Sequence, residues 1–219
     1  MPSLSTHGCS YGSREKMAKD RHDQTRAVYE RHAAGFDTSR SKSLFEKPWL
    51  DRLCALIRDR GSILDIGCGS GEPIAEYLIG KGYAVTGADY AQPMLDIAAA
   101  RFPDADWIHA DMRDLSLERT FDAVIAWHSV FHLTPDEQRH CLPVLADHVA
   151  AGGALMMTIG PDEEGEASGT IEGQPVYHAS LPEADYRRLL AENGMDIVSI
   201  DRDRDDCGGA TILIARKTA

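Results

Sequence analysis

The chain has 219 residues, 43% of them hydrophobic, and a formal net charge of −12. That length suits one α/β domain with a full core and is short for two. So acidic a surface repels phosphate backbones and anionic lipid, which argues against nucleic acid or membrane as a partner.

Residues 1–20 are rich in Ser, Gly and charge and read as a flexible N-terminus, without the apolar core of a signal peptide. Residues 21–219 read as a single domain. Its first part, residues 21–60, reads as two helices ahead of the first strand, forming a helical lid. Residues 62–66 (SILDI) form a buried strand. A short helix over 71–80 has Pro73 in its first turn, where a missing N–H does no harm. A second strand over 83–88 and a helix over 92–101 follow, with Leu95 and Ala98 on one helix face. Residues 106–109 form a third strand. The fourth, 121–127, is almost wholly apolar, as a strand covered on both faces should be.

Thr134-Pro135-Asp136-Glu137 is a capping box with proline at the first helical position, starting a helix to about residue 149. Gly152-Gly153 turns into a fifth strand, 154–159. Residues 161–179, rich in Gly, Glu and Asp, stand outside the alternation. They read as a lid segment (161–180) walling an acceptor pocket. A second capping box, Ser180-Leu181-Pro182-Glu183, starts a helix that turns Tyr186, Leu189 and Leu190 inward and stops at Asn193-Gly194. Strands over 196–201 and 210–216 close the chain. Alternating strands and helices imply a parallel sheet with right-handed crossovers. The last two strands, with no helix between them, pair as a hairpin and leave one strand antiparallel. The five cysteines (Cys9, Cys54, Cys68, Cys141, Cys207) are odd in number and lack metal-ligand spacing, so a reducing, cytoplasmic setting without a metal site is expected.

The most informative run is Leu64-Asp65-Ile66-Gly67-Cys68-Gly69-Ser70-Gly71, a hydrophobic strand that ends in an acid and a glycine-rich turn. Gly67, Cys68 and Gly69 let backbone lie against a ligand. In dinucleotide-binding proteins the turn reads G-x-G-x-x-G and holds a pyrophosphate. Here the third glycine comes one residue early, and Asp65 would repel pyrophosphate but attract an ammonium. The turn therefore suits an uncharged nucleoside with an amino-acid tail. Asp89, about 20 residues on, stands where an acid receives a ribose diol. Tyr90 and Met94 are placed to cover the adenine face. Asp111 either accepts from the adenine amine or caps a turn; in series with Asp65 and Asp89 it reads as functional, with Met112 packed on the ring.

LDIGCGSGEP, the acid in TGADY, ADM, FDAVIAWHSVFHL and AAGGALMM together resemble the class I S-adenosylmethionine (SAM)-dependent methyltransferases, from about Tyr29 to the C-terminus. YERHAAGFD and GQPVYHASL look like a bacterial small-molecule subgroup related to the ubiquinone/menaquinone methyltransferases. The resemblance implies a Rossmann-like α/β fold: a seven-stranded, mostly parallel sheet with the last strand antiparallel and helices on both faces. It implies SAM as cofactor, S-adenosyl-L-homocysteine as product, and Tyr29 covering the methionine moiety, with Trp49 either joining it or packing in the core.

Methyl transfer is an in-line displacement in which the protein positions the acceptor. The resemblance places the end of the fourth strand, Trp127 and His128, against the sulfonium and the acceptor. His128 is the first candidate for a base or orienting group. His132 either points the same way or packs in the core. Tyr177-His178 in the lid segment either reaches over the site or anchors the lid. The expected partner is a small-molecule acceptor methylated on O, N or S, bound by a monomer or homodimer. A SAM-binding protein without catalysis and a nicotinamide-dependent reductase are the competing readings.

Overall fold

Leu64, Val124 and Leu155 bury against one layer of helices, while their neighbours Ile63, Ile125 and Met156 bury against another. Strands apolar on both faces belong in the middle of a three-layer sandwich, and they are found there. The computed structural model describes residues 11–161, 163–205 and 209–219, without the side chains of residues 11–20, 22 and 203. Expectations for residues 1–10, Asp162, Asp206, Cys207 and Gly208 lie outside the described residues.

The elements run α1 (Tyr11–Ser39), α2 (Lys47–Cys54), β1 (Ser62–Ile66), α3 (Ile74–Gly80), β2 (Ala84–Asp89), α4 (Gln92–Arg101), β3 (Asp106–His109) and β4 (Phe121–Ala126), with a 3-10 turn at Val130–His132. Then come α5 (Pro135–Asp147), β5 (Val149–Ile159), β6 (Gly165–Ile171), β7 (Gln174–Ser180), α6 (Glu183–Glu192), β8 (Met195–Arg204) and β9 (Ala210–Lys217). The main sheet has seven strands in the order β3-β2-β1-β4-β5-β9-β8. β9 runs antiparallel to both β5 and β8, and the β1, β2, β3, β4 and β5 pairings are parallel. The Rossmann-like expectation, with its antiparallel last strand, therefore holds. The strand order reverses between β1 and β4, the crevice where such sheets bind ligands at strand C-termini.

Four local expectations change. Pro73 sits just before α3 as its N-cap. α5 stops at Asp147 because Val149 pairs with Phe121, so β5 starts five residues early and runs through Gly152-Gly153. The second capping box does not form: Pro182 is the N-cap of α6, and Ser180 Oγ donates to the Glu163 carbonyl at 2.7 Å instead. Residues 165–180 fold as a separate two-stranded hairpin joined by Glu172-Gly173, both at positive φ (47° and 76°), the backbone of a tight two-residue hairpin turn. Among the described residues no helix is long and apolar enough to cross a membrane, and no cluster of metal-ligating side chains occurs.

The first capping box does form. Thr134 N–H donates to Glu137 Oε2 at 2.9 Å and Thr134 Oγ1 accepts from Glu137 N–H at 3.4 Å. Thr134→Ala should lower unfolding free energy by about 1 kcal/mol without affecting ligand binding; an unchanged denaturant midpoint would show that the cap contributes nothing.

Candidate active site

Three strand ends converge on the crevice. β1 delivers Asp65 and the glycine turn, β2 delivers Asp89, and β4 delivers Trp127 and His128. Their open side is roofed by α1 and the β6–β7 hairpin, enclosing a cavity of about 360 Å³. Its lining includes Tyr29, Asp65, Gly67, Cys68, Asp89, Tyr90, Met112, Trp127, His128 and His178, all singled out in the sequence.

The glycine turn is shaped by contact as well as by φ. Gly67 has φ +73°, and a Cβ there would lie 2.3 Å from Ser129 Cβ. Ser129 Oγ donates back to the Ile66 carbonyl at 2.9 Å, pinning the β4 end to the turn. Gly69 itself does not line the cavity; its N–H donates to Asp89 Oδ2 at 2.9 Å, while Asp89 Oδ1 accepts from Ala91 N–H at 2.8 Å. Asp89 is thereby aimed by two backbone donors before any ligand arrives. Burial pushes its carboxyl up, opposed by those N–H groups.

Asp65 is different. It is 3% exposed and accepts no hydrogen bond among the described residues. Burial pushes its carboxyl up to about 7, with Arg40 pulling it down and Asp89 and Glu46 adding to the rise. A buried carboxylate without a donor is costly unless something cationic completes it. Trp127 Nε1, likewise buried, has no hydrogen-bond partner among the described residues. Burial holds the Cys68 thiol well above its usual range, so it is unreactive packing against the ligand space.

His128 adopts φ +49°, a conformation uncommon outside glycine that tends to mark functional sites. Its N–H donates to Thr158 Oγ1 at 2.9 Å. Burial, then Arg40 and His178, lowers its imidazole to about 4, so the ring is neutral at pH 7. His132 also faces the cavity but is already engaged: its Nδ1 lies 2.9 Å from the Tyr177 carbonyl and its Nε2 lies 2.8 Å from Tyr29 Oη. A carbonyl only accepts, so Nδ1 carries the proton and Nε2 receives the Tyr29 O–H. This bridge ties α1, the turn after β4 and the hairpin together.

Several sequence assignments change. Met94 is 1% exposed and packs with Ala33 and Ala91 beneath α1, away from the cavity. Asp111 is also outside it: its carboxylate accepts from the Arg113 backbone N–H at 2.9 Å and from the Arg113 guanidinium at 2.6 Å. Tyr177 turns away because strand alternation sends Val176 and His178 inward and the residue between them outward, under the Arg21 guanidinium. Trp49 is a core residue, donating from Nε1 to Asp201 at 3.1 Å.

Arg40, Phe36, Glu72, Phe131 and the hairpin's Thr170, Ile171 and Val176 also line the cavity and were not anticipated. Arg40 donates from Nη2 to Glu46 at 2.9 Å. Asp37 carries the C-terminal end of α1 onto the glycine turn, accepting from Ser70 Oγ at 2.6 Å and from Arg101 at 2.5 and 2.7 Å; Arg101 holds its carboxyl well below the usual range. Only Gly173, at the hairpin turn, offered a local cue to any of this.

Residues 63–153, less than half of the chain, match a family model described as a methyltransferase domain. Over 111 residues the chain is 37% identical to a dTDP-3-amino-3,6-dideoxy-alpha-D-glucopyranose N,N-dimethyltransferase of Streptomyces fradiae, covering 48% of this chain and 43% of that protein. It is 28% identical over 149 residues to a trans-aconitate 2-methyltransferase of Enterobacter sp. (strain 638), covering 64% of this chain and 58% of the relative. The chain thus spans about half the length of these curated relatives. The SAM-bound structure of CalS10, an amino pentose methyltransferase from Micromonospora echinaspora, superimposes with a TM-score of 0.67 at 22% identity, covering 87% of this chain and 97% of the other. The glycine turn, the acid that ends β2 and the β4 end all fall within the segment that matches the methyltransferase-domain model, and the chain shares the fold of the CalS10 structure.

Proposed function

We propose that this protein is a SAM-dependent methyltransferase acting on a small-molecule acceptor. The observation that carries the reading is the bare carboxylate of Asp65 beside the glycine turn, in one cavity with Asp89. An amino-acid-bearing nucleoside supplies an ammonium for Asp65 and a ribose diol for Asp89, whereas a pyrophosphate would be repelled. Tyr90 and Met112 bracket the space for the base, Tyr29 covers the amino-acid end, and the Arg40 guanidinium and the Trp127 N–H are donors for its carboxylate. The bound cofactor supplies an electrophilic methyl on sulfur. The protein holds the acceptor in line and keeps water out beneath α1 and the hairpin.

His128 orients the acceptor at the end of β4. The relatives are named for amine-bearing sugars and for trans-aconitate, so the acceptor here is a metabolite-sized polar molecule. We place the enzyme near the ubiquinone/menaquinone methyltransferases on YERHAAGFD and GQPVYHASL, and expect a cytoplasmic monomer or homodimer with no nucleic-acid partner.

Calorimetry with S-adenosylhomocysteine and with NAD tests the cofactor: binding of the first alone supports the reading, and binding of NAD alone overturns it. His128→Ala should lower turnover at least ~10-fold while leaving S-adenosylhomocysteine affinity within about 2-fold, since oriented hydrogen bonds contribute about 1–3 kcal/mol. Wild-type turnover in that variant would reduce His128 to a strand-end packing residue. Labelled SAM with a metabolite extract provides the turnover assay, read as a gain of one methylene; tight binding with no transfer to any acceptor would overturn the catalytic part.

A further inference from the structure

The acceptor side of the cavity has a composition that narrows what is methylated, an inference that rests on the methyl-transfer reading above. His128, from the end of β4, and His178, from β7, both face the cavity, and neither imidazole makes a hydrogen bond among the described residues. Between them stands Phe131, whose ring centroid lies 5.6 Å from that of His128 and 4.7 Å from that of His178. Val176, two residues before His178 on the same strand face, and Ile171 complete an apolar wall. Gly169 of the facing strand leaves room for the His178 ring, since a Cβ there would lie 2.7 Å from its Cε1.

The carboxylates lining the cavity are elsewhere. Asp65 and Asp89 lie at the β1 and β2 ends, and Glu72 is paired with Lys42 at 2.9 Å and Arg101 at 3.0 Å. An ammonium on the acceptor side would find no anion among the described residues. Each neutral imidazole, in contrast, offers one N–H donor. The charged group that acts on the His128 ring is the Arg40 guanidinium, from the segment after α1, and Arg40 also acts on Asp65; His132 packs against His178, and Thr158 Oγ1 accepts the His128 backbone N–H.

We infer that the acceptor is an anionic oxygen, a carboxylate or a phenolate, carried on a flat apolar frame, and that His128 and His178 bind it by donating hydrogen bonds. Burial lowers both imidazoles, His128 to about 4, which makes them poor bases at neutral pH; an anion that attacks directly needs none. The acceptor oxygen forms its bond to the methyl carbon, the carbon–sulfur bond breaks, and the electron pair stays on sulfur as a neutral thioether. The product is an uncharged ester or ether. An anion seated between two imidazoles favours their protonated forms, so binding takes up protons, which return to solvent when the neutral product leaves.

The test uses the full chain saturated with S-adenosylhomocysteine and titrated with benzoate, 4-nitrophenolate and benzylammonium. Calorimetry in buffers of different ionisation enthalpy reads proton uptake. The inference expects an anion to bind at least ~10-fold more tightly than benzylammonium, with net proton uptake at pH 7 read from benzoate, which is fully ionised there; which of the two anions binds better identifies the carboxylate or the phenolate. His178→Leu and His128→Ala should each weaken anion binding at least ~5-fold and reduce the uptake, as loss of one hydrogen bond of about 1 kcal/mol would do. His178→Gln, which keeps an N–H donor, should restore affinity but not uptake. Unchanged nucleoside affinity and melting temperature show that the variants are folded. Preference for benzylammonium, or anion binding indifferent to both histidines, overturns the inference while leaving the methyl-transfer reading intact. Failure of S-adenosylhomocysteine itself to bind overturns both.

Discussion

Replacing Asp65 by Asn is expected to abolish measurable SAM binding and, at pH 8, to make the unliganded protein more stable. The two effects have one cause. Asp65 is buried without a donor among the described residues, and its carboxyl in the folded chain is raised to about 7, against about 3.9 in an unfolded chain. The folded state therefore holds a proton on this group that the unfolded state has released. Its contribution to stability is full below about pH 4 and is lost as pH rises through about 7. At pH 8 the buried charge costs up to about 4 kcal/mol, because each pH unit separating the folded and unfolded values is worth about 1.4 kcal/mol. Asn removes that cost, and with it the anion that an ammonium would neutralise. In the wild type, SAM affinity should fall about 10-fold for each pH unit below 7 as Asp65 protonates. In the Asn variant, whatever affinity remains should be flat over the same range. Thermal melts at pH 5 and 8 with and without S-adenosylhomocysteine check both parts. A variant that binds normally, or loses stability at pH 8, would refute the role given to this carboxylate.

Asp89→Ala is expected to weaken S-adenosylhomocysteine binding by about 100-fold, as the loss of charge-assisted hydrogen bonds together worth about 3 kcal/mol would do. The structure adds a second contribution to the lost diol contacts. Asp89 accepts the N–H groups of Gly69 and Ala91, so alanine also releases the glycine turn from β2. Adenine, which lacks the ribose, separates the two. If only the diol contact matters, adenine binding is unchanged; if the turn also loosens, adenine weakens with the nucleoside. Full S-adenosylhomocysteine affinity in the variant would remove Asp89 from the site.

Much of the sheet was legible because its determinants are local. SILDI is apolar enough to be buried on both sides, and Asn193-Gly194 ends α6, with Gly194 at φ +71°. The cofactor side was legible for the same reason: Asp65, Gly67 and Asp89 are successive features of a strand–turn–helix–strand unit. Asp111 and Met94 show where that logic stops. Both sit at the right distance along the chain, yet Arg113 claims the first and α1 packs over the second. Tyr177 and His178 could not be told apart until the register of β7 sent one out and the other in.

Residue order alone specified an α/β chain with a nucleoside-sized turn after its first strand, because turn geometry, capping and apolar alternation depend on neighbours a few positions apart. Which side chains share the cavity was decided only by folding. Arg40 comes from the segment after α1, Phe131 from the turn after β4, and Val176 and His178 from β7. These are distant in sequence from Asp65 and Asp89, and no short-range pattern encodes such meetings. The Tyr29–His132–Tyr177 bridge is of the same kind: three elements meet there because the sheet brings their ends together, and only that meeting gives His132 its tautomer and the cavity its roof.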